Sequence, residues 1–171
     1  MTLKWTVPEL LQYKHEGLTF QEKVSLPDMK EIDPEVRSIT PVDVQGVVEY
    51  AKQSITFHLT LVGQMILPCA ITLEDVEHPF HIHTSETFLL DSSAEIDEAD
   101  HEVVHDVEDN IIDLKPYIAE AIIVEKPMRV VSDKAKQQPK PEGEGWELVT
   151  EEERKNQIDP RLEKLKKFFN E

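Results

Sequence analysis

The residues of this chain with the widest chemical reach are one cysteine and a group of histidines that lies close to it, Cys69 with His78, His81 and His83. A thiolate with imidazoles is a zinc donor set, and a thiol beside an imidazole is a nucleophilic pair. Neither pattern is complete. His81 and His83 alternate with Phe80 and Ile82, as on a strand that turns one side to water. Compact zinc spacing such as C-x-x-C paired with H-x-x-x-H is missing. Cys69 follows Pro68 and has no neighbouring Lys or Arg to favour a thiolate. As the single cysteine it forms no intramolecular disulfide. The pattern therefore reads as a surface strand and a small buried thiol, with no catalytic, cofactor-binding or metal residues assigned. The alternative is a zinc-binding or thiol-dependent enzyme that uses Cys69 with His81 or His83.

Charge narrows the choice of partner. The chain carries 18 Lys and Arg against 35 Asp and Glu, a formal charge of −17. Affinity for free nucleic acid comes from counterions displaced by Lys and Arg, so the surface as a whole disfavours it. A basic protein, or a basic part of a ribonucleoprotein, is the easier partner; the plainer role of such charge is solubility. Residues 91–109 hold nine carboxylates and no Lys or Arg. Such a block repels itself and reads as an acidic loop, with a short strand near Val103 and Val104. It lacks the glycine of an EF-hand, and imitation of a phosphate track is a further reading for it. The five glycines form no G-x-x-x-x-G-K phosphate loop. Basic residues gather only near the end, at Arg154, Lys155, Arg161, Lys164, Lys166 and Lys167. Arg161, Lys164, Lys166 and Lys167 are the candidate interaction residues. This helix either docks its Leu/Phe stripe on the body or meets a partner groove or RNA backbone.

The elements that position these groups follow from periodicity. Thr6 and Pro8 start a helix over 7–15, and residues 18–26 read as a strand. Segment 27–41 contains Pro27, Pro34 and Pro41 and is a connection with room for one helical turn. One face of 42–50 carries Val42, Val44, Gly46, Val48 and Tyr50. One face of 55–67 carries Ile55, Phe57, Leu59, Leu61, Met65 and Leu67. Alternation of this length with a short spacing predicts an antiparallel pair. Residues 80–90 supply a third strand, in which Glu86 interrupts an otherwise apolar face. Asp113 is the expected N-cap of a helix over 114–124, whose Leu114, Tyr117, Ile118, Ala121 and Ile122 form one stripe. The fold class is α+β: an antiparallel meander, a partly open barrel or sandwich-like sheet, covered by helices.

The organisation read from composition is an α+β domain over 1–131, a flexible linker over 132–145 and a basic amphipathic helical tail over 146–171. Thr150 and Glu153 have capping-box spacing at the start of that tail. No run approaches the ~20 apolar residues of a membrane span, and the N-terminus lacks a secretory pattern, so cytoplasm is the expected location.

Taken in order, LPCAITLEDVEHPF, FHIHTSETFLL, the acidic stretch, IIDLKPYIAEAIIVEKPM and the terminal DPRLEKLKKFF resemble the YceD-type family in its low-GC Gram-positive form, over nearly the whole chain. The family pattern at the strand end is C-x-R-C-L. Cys69 and Leu73 match it, whereas Ile71 stands at the Arg position and Thr72 at the second Cys. Many members carry further cysteines between the IIDL helix and the tail; none lies between Pro127 and Gly145 here. The resemblance implies a non-enzymatic factor for accumulation or processing of large-subunit ribosomal RNA. It would bind a ribosomal protein, ribosomal RNA or a precursor of the large subunit, with no cofactor and no small-molecule substrate. It transfers no established functional residues.

Overall fold

The computed structural model describes residues 3–91, 104–137 and 142–147. The chain divides into two units, Met1–Ala135 and Lys136–Glu171. The expected tail helix, with Arg161, Lys164, Lys166 and Lys167, lies outside the described residues, as does the acidic segment 92–103.

The first unit opens with strand β1 (Lys4–Thr6) running into helix α1 (Val7–Gln12). Thr6 caps α1 reciprocally: its hydroxyl accepts the Glu9 N–H, and the Glu9 carboxylate accepts the Thr6 N–H at 2.8 Å. This closes two N–H groups that the first helical turn cannot satisfy itself. Strand β2 (Leu18–Val24), helix α2 (Met29–Ile32) and strand β3 (Ser38–Ile39) follow, and then β4 (Val42–Tyr50), β5 (Ser54–Pro68) and β6 (Asp75–Leu89). After the acidic segment come β7 (Val104–Asp106), β8 (Ile111–Asp113), helix α3 (Lys115–Glu125) and helix α4 (Asp133–Gln137). In the second unit, strands β9 (Glu142–Gly143) and β10 (Trp146–Glu147) pair across a turn in which Gly145 has φ +84°. Three short elements, α4, β9 and β10, thus fall in or beside the span 132–145 whose composition suggests a linker.

The main sheet is open and runs β2-β4-β5-β6-β7, with β3 joining β5 past the end of β4. Every pairing is antiparallel except β6 with β7. The α+β meander expected from the alternation is present, and the barrel does not close. One face holds the core. Val42, Val44, Ile55, Phe57, Leu59, Leu61, Met65, Ile82 and Phe88 are buried there with Leu10 of α1 and Ile118 and Ile122 of α3. Each such side chain contributes about 1.5–3 kcal/mol when fully removed from water. Phe57 meets Phe88 edge-on at 5.6 Å between centroids, a favoured aromatic geometry.

Three differences from the sequence reading have physical causes. Strand β6 starts at Asp75 and passes through Pro79, because among the described residues β7 pairs only Thr87–Leu89 on that side. Proline is tolerated where no ladder hydrogen bond is required of it. The N-cap of α3 is Leu114; Asp113 stands one residue earlier, and its Oδ1 accepts the Lys115 N–H at 3.1 Å. The β1–β8 pairing, with Trp5 opposite Ile112, joins segments a hundred residues apart and has no local signature. Lys126, just past α3, reaches Asp33 at 2.7 Å and Glu35. The Lys126 hydrogen bond is the main reason the Asp33 carboxyl is held below its ordinary range. Burial pulls the Lys126 ammonium down, but its bonds to both carboxylates outweigh that and hold it above its usual value. The pair fixes the end of α3 to the α2–β3 connection.

Gly46 sits directly under the Phe20 ring, which occupies the space a Cβ would need. Gly46→Val forces Phe20 off Trp5, its neighbour at 5.1 Å. Chemical denaturation should show a loss of about 1–3 kcal/mol, the usual cost of overpacking.

Candidate functional site

Opposite the core, the sheet presents a polar face. Because side chains alternate along a strand, Gln21 of β2, Gln45 and Val47 of β4, His58 and Thr60 of β5, and His83 and Ser85 of β6 come together there. They line a broad, shallow groove of about 550 Å³. Cross-strand bonds organise its floor. The Thr60 hydroxyl lies 3.1 Å from His83 Nδ1. His58 Nδ1 lies 3.2 Å from Ser85 Oγ, and its Nε2 lies 3.0 Å from the Glu49 carboxylate. His81 and His83 stand side by side at 4.7 Å between rings. Both are exposed, as the alternation with Phe80 and Ile82 implies.

Cys69 is elsewhere. It follows β5, and Pro68 pairs with Asp75, six residues before His81 on an extended strand. At ~3.4 Å per residue this is about 20 Å, so the thiol and the exposed imidazoles form neither a catalytic pair nor a ligand set. Cys69 begins the turn into β6: its carbonyl accepts the Leu73 N–H at 2.9 Å, and its N–H donates to Glu74 O at 2.8 Å. Leu73 closes the turn with φ 60°. Residues after α3 return to the same place. Ala70 N–H donates to Val130 O at 2.8 Å, and Ser132 N–H donates to Cys69 Sγ at 3.4 Å.

That geometry explains an altered thiol. The Ser132 N–H foremost, then the Thr72 hydroxyl and N–H, pull Cys69 from 9.0 to about 6; burial opposes them and the Ile71 N–H adds to them. The side chain has no solvent exposure but lies under a thin surface turn, so lost hydration is the lesser influence. The sequence reading found no cation near Cys69 to favour a thiolate. The structure overturns the inference drawn from that, because backbone and hydroxyl donors do the work instead. The donor from residue 132 is remote in sequence and leaves no motif. Zinc does not fit: no three His, Cys, Asp or Glu side chains converge among the described residues, and the groups around Sγ are hydrogen-bond donors.

Glu86, which interrupts the inner face of β6, has a partner that sequence reasoning missed. Its carboxylate is 6% exposed and lies 2.7 Å from His105 Nε2; the Thr84 hydroxyl donates to its other oxygen at 3.1 Å. The His105 ring packs at a tilt against Tyr117 at 4.2 Å and Phe88 at 5.3 Å between centroids. The buried charge is tolerable because it is paired and hydrogen-bonded. The pair also anchors β7, whose ladder to β6 is only three residues long. Burial foremost, then the surrounding carboxylates, push the Tyr117 phenol up.

A family model described as large ribosomal RNA subunit accumulation protein YceD matches residues 57–169. A Bacillus subtilis (strain 168) protein, described as uncharacterized protein YlbN, is 37% identical over 171 residues, 99% of this chain and 98% of its own length. No solved structure matches.

Because the folded thiol value lies below the unfolded one, thiolate stabilisation is complete above about 9 and is lost as pH falls toward about 6. The stability gap between the native chain and Cys69→Ala should therefore narrow over that window. Denaturation at several pH values checks it; a constant gap contradicts a stabilised thiolate. His105→Ala strands the Glu86 carboxylate and should cost about 3 kcal/mol. Adding Glu86→Gln to that variant should recover part of the loss in the same assay.

Proposed function

Because the chain belongs to the YceD family, we propose that it supports accumulation of large-subunit ribosomal RNA by holding a ribosomal protein or a precursor particle, without catalysis. Family membership gives the ribosome-related role. The observation that carries the binding reading is the wide polar sheet face, where hydroxyl, imidazole and carboxylate groups bond to one another and, among the described residues, no nucleophile, base and oxyanion donors converge on one point. Among the described residues, Cys69 is the thiol whose hydrogen-bond donors, the Ser132 N–H foremost, favour the thiolate. It is buried, and its hydrogen-bond partners among the described residues include no imidazole.

In this reading the strongly acidic body and the end of the chain, where carboxylates and cations nearly balance, play different parts. Of the 35 carboxylates only nine follow residue 135, whereas eight of the 18 Lys and Arg do. The body would hold basic protein. The tail over 146–171, on the linker over 132–145, would reach RNA backbone or a second protein through Arg161, Lys164, Lys166 and Lys167. A cytoplasmic location accords with this role, and no helix among the described residues is long and apolar enough to cross a membrane.

Affinity isolation of the full chain from growing cells, at low and high salt, tests the reading. Large-subunit precursor components should be retained at low salt and fall away as salt rises, since exposed charges are screened over ~10 Å at 0.1 M. Deleting 146–171 should weaken retention. Recovery of no large-subunit component at low salt would refute the role, and retention unaffected by the deletion would remove the tail from it.

A further inference from the structure

Resting on that reading, we propose that the outer face of the sheet is the docking surface and that its occupant is an extended segment of a protein bearing Lys and Arg. The inner face is closed by α1 and α3; the outer face is exposed at Gln21, Gln45, Val47, His58 and His83 and buried at its Ser54, Thr56 and Thr87 end. Val47 and Val62 lie there 53% and 43% exposed. Gln21 and Gln45 face each other across the β2–β4 ladder, and neither side chain has a hydrogen-bond partner among the described residues.

Charge selects the occupant. The strand positions on this face carry Asp43, Glu49, Asp75, Glu77 and Asp106. Lys23 engages Asp43 at 3.4 Å, Arg37 beside β3 engages Asp75 and His58 meets Glu49 at 3.0 Å, so Glu77 and Asp106 are the carboxylates left without a cation among the described residues. A phosphate backbone would meet these carboxylates, while Lys23 and Arg37 are already engaged. A basic segment meets complementary charge at the rim and Gln carbonyls that accept from guanidinium or ammonium. Val47 and Val62 offer apolar contact to the aliphatic stems of Lys and Arg. A shallow groove of about 550 Å³ spread over four strands suits side chains laid across a surface better than an enclosed small molecule.

The test places a photoreactive benzoylphenylalanine at Val47 of the full chain in growing cells. After irradiation, the adduct should map to a Lys/Arg-bearing segment of a large-subunit protein. Introducing Gln21→Lys and Gln45→Lys, both exposed and outside the core, should lower the adduct yield about tenfold. Adducts with ribosomal RNA, with a second copy, or with residues 146–171 of this chain would overturn the inference. So would no adduct from cells whose affinity isolates still contain large-subunit precursors. A defined probe separates this inference from the function on which it rests. In a titration with a synthetic Lys-Gly-Arg repeat peptide, amide chemical shifts should move at Gln45, Val47 and His58. No movement there, or movement only with a single-stranded RNA oligonucleotide, sinks the docking surface even if precursors are retained in cells. If the peptide binds there but isolates contain no large-subunit component, it is the proposed role that fails.

Discussion

The fifteen-residue ladder between β5 and β6 is the constraint on which the rest of the structure depends. Its register puts Ile55, Phe57, Leu59 and Leu61 opposite Phe88, Glu86, Thr84 and Ile82, so a single face of one hairpin defines the core. A slip by one residue would turn that whole set to water. Strand β4 continues the same register on the other side of β5, and β2 continues it again. Once the inner face exists, α1 and α3 have a place to bury Leu10, Ile118 and Ile122. The outer face is the necessary complement of that choice: alternation that fills a core on one side leaves a polar surface on the other.

Three polar groups that fall inside or beneath this frame carry a partner, whereas the buried Tyr50 hydroxyl has none among the described residues. Glu86 has His105 and Thr84; Lys126 has Asp33 and Glu35; the Cys69 sulfur has N–H and hydroxyl donors. In each case the partner tethers a peripheral segment to the sheet or to its connections: β7, the end of α3, and the residues after it. Burying an unpaired charge would cost several kcal/mol, so these contacts fix where the periphery attaches as much as they stabilise it. The Cys69 contact is of the same structural kind and stands far from the histidines of the outer face.

What could be read in the sequence depended on whether the signal was local. The strands at 42–50 and 55–67 were legible because one face must be apolar, and the α3 stripe was legible for the same reason. The Thr6–Glu9 capping box opens α1 where Thr6 and Pro8 suggest. Glu86 looked like an error on an apolar face because His105 lies nineteen residues away, across the acidic segment. The alternation at 80–90 marked only part of β6, which begins at Asp75 and includes Pro79, since local reading cannot tell an open edge from a paired one. The donors that shift Cys69 are backbone N–H groups, which every residue but proline possesses, so no residue type could announce them. The outer face was visible as alternating His and Thr, but its union with Gln21 and Gln45 required the strand order.

Membership in the YceD family gives this sheet a ribosomal context, and its structural basis is the division of the sheet into a packed face and a polar one. That division rests on the long hairpin being the most persistent part of the fold. Native-state amide hydrogen exchange tests this directly. The account predicts that amides of β5, flanked by β6 along its length and by β4 over residues 55–62, exchange last, with β7 and the β1–β8 pair opening well before them. If α3 or β7 outlasted β5, the hairpin would not be the organising element.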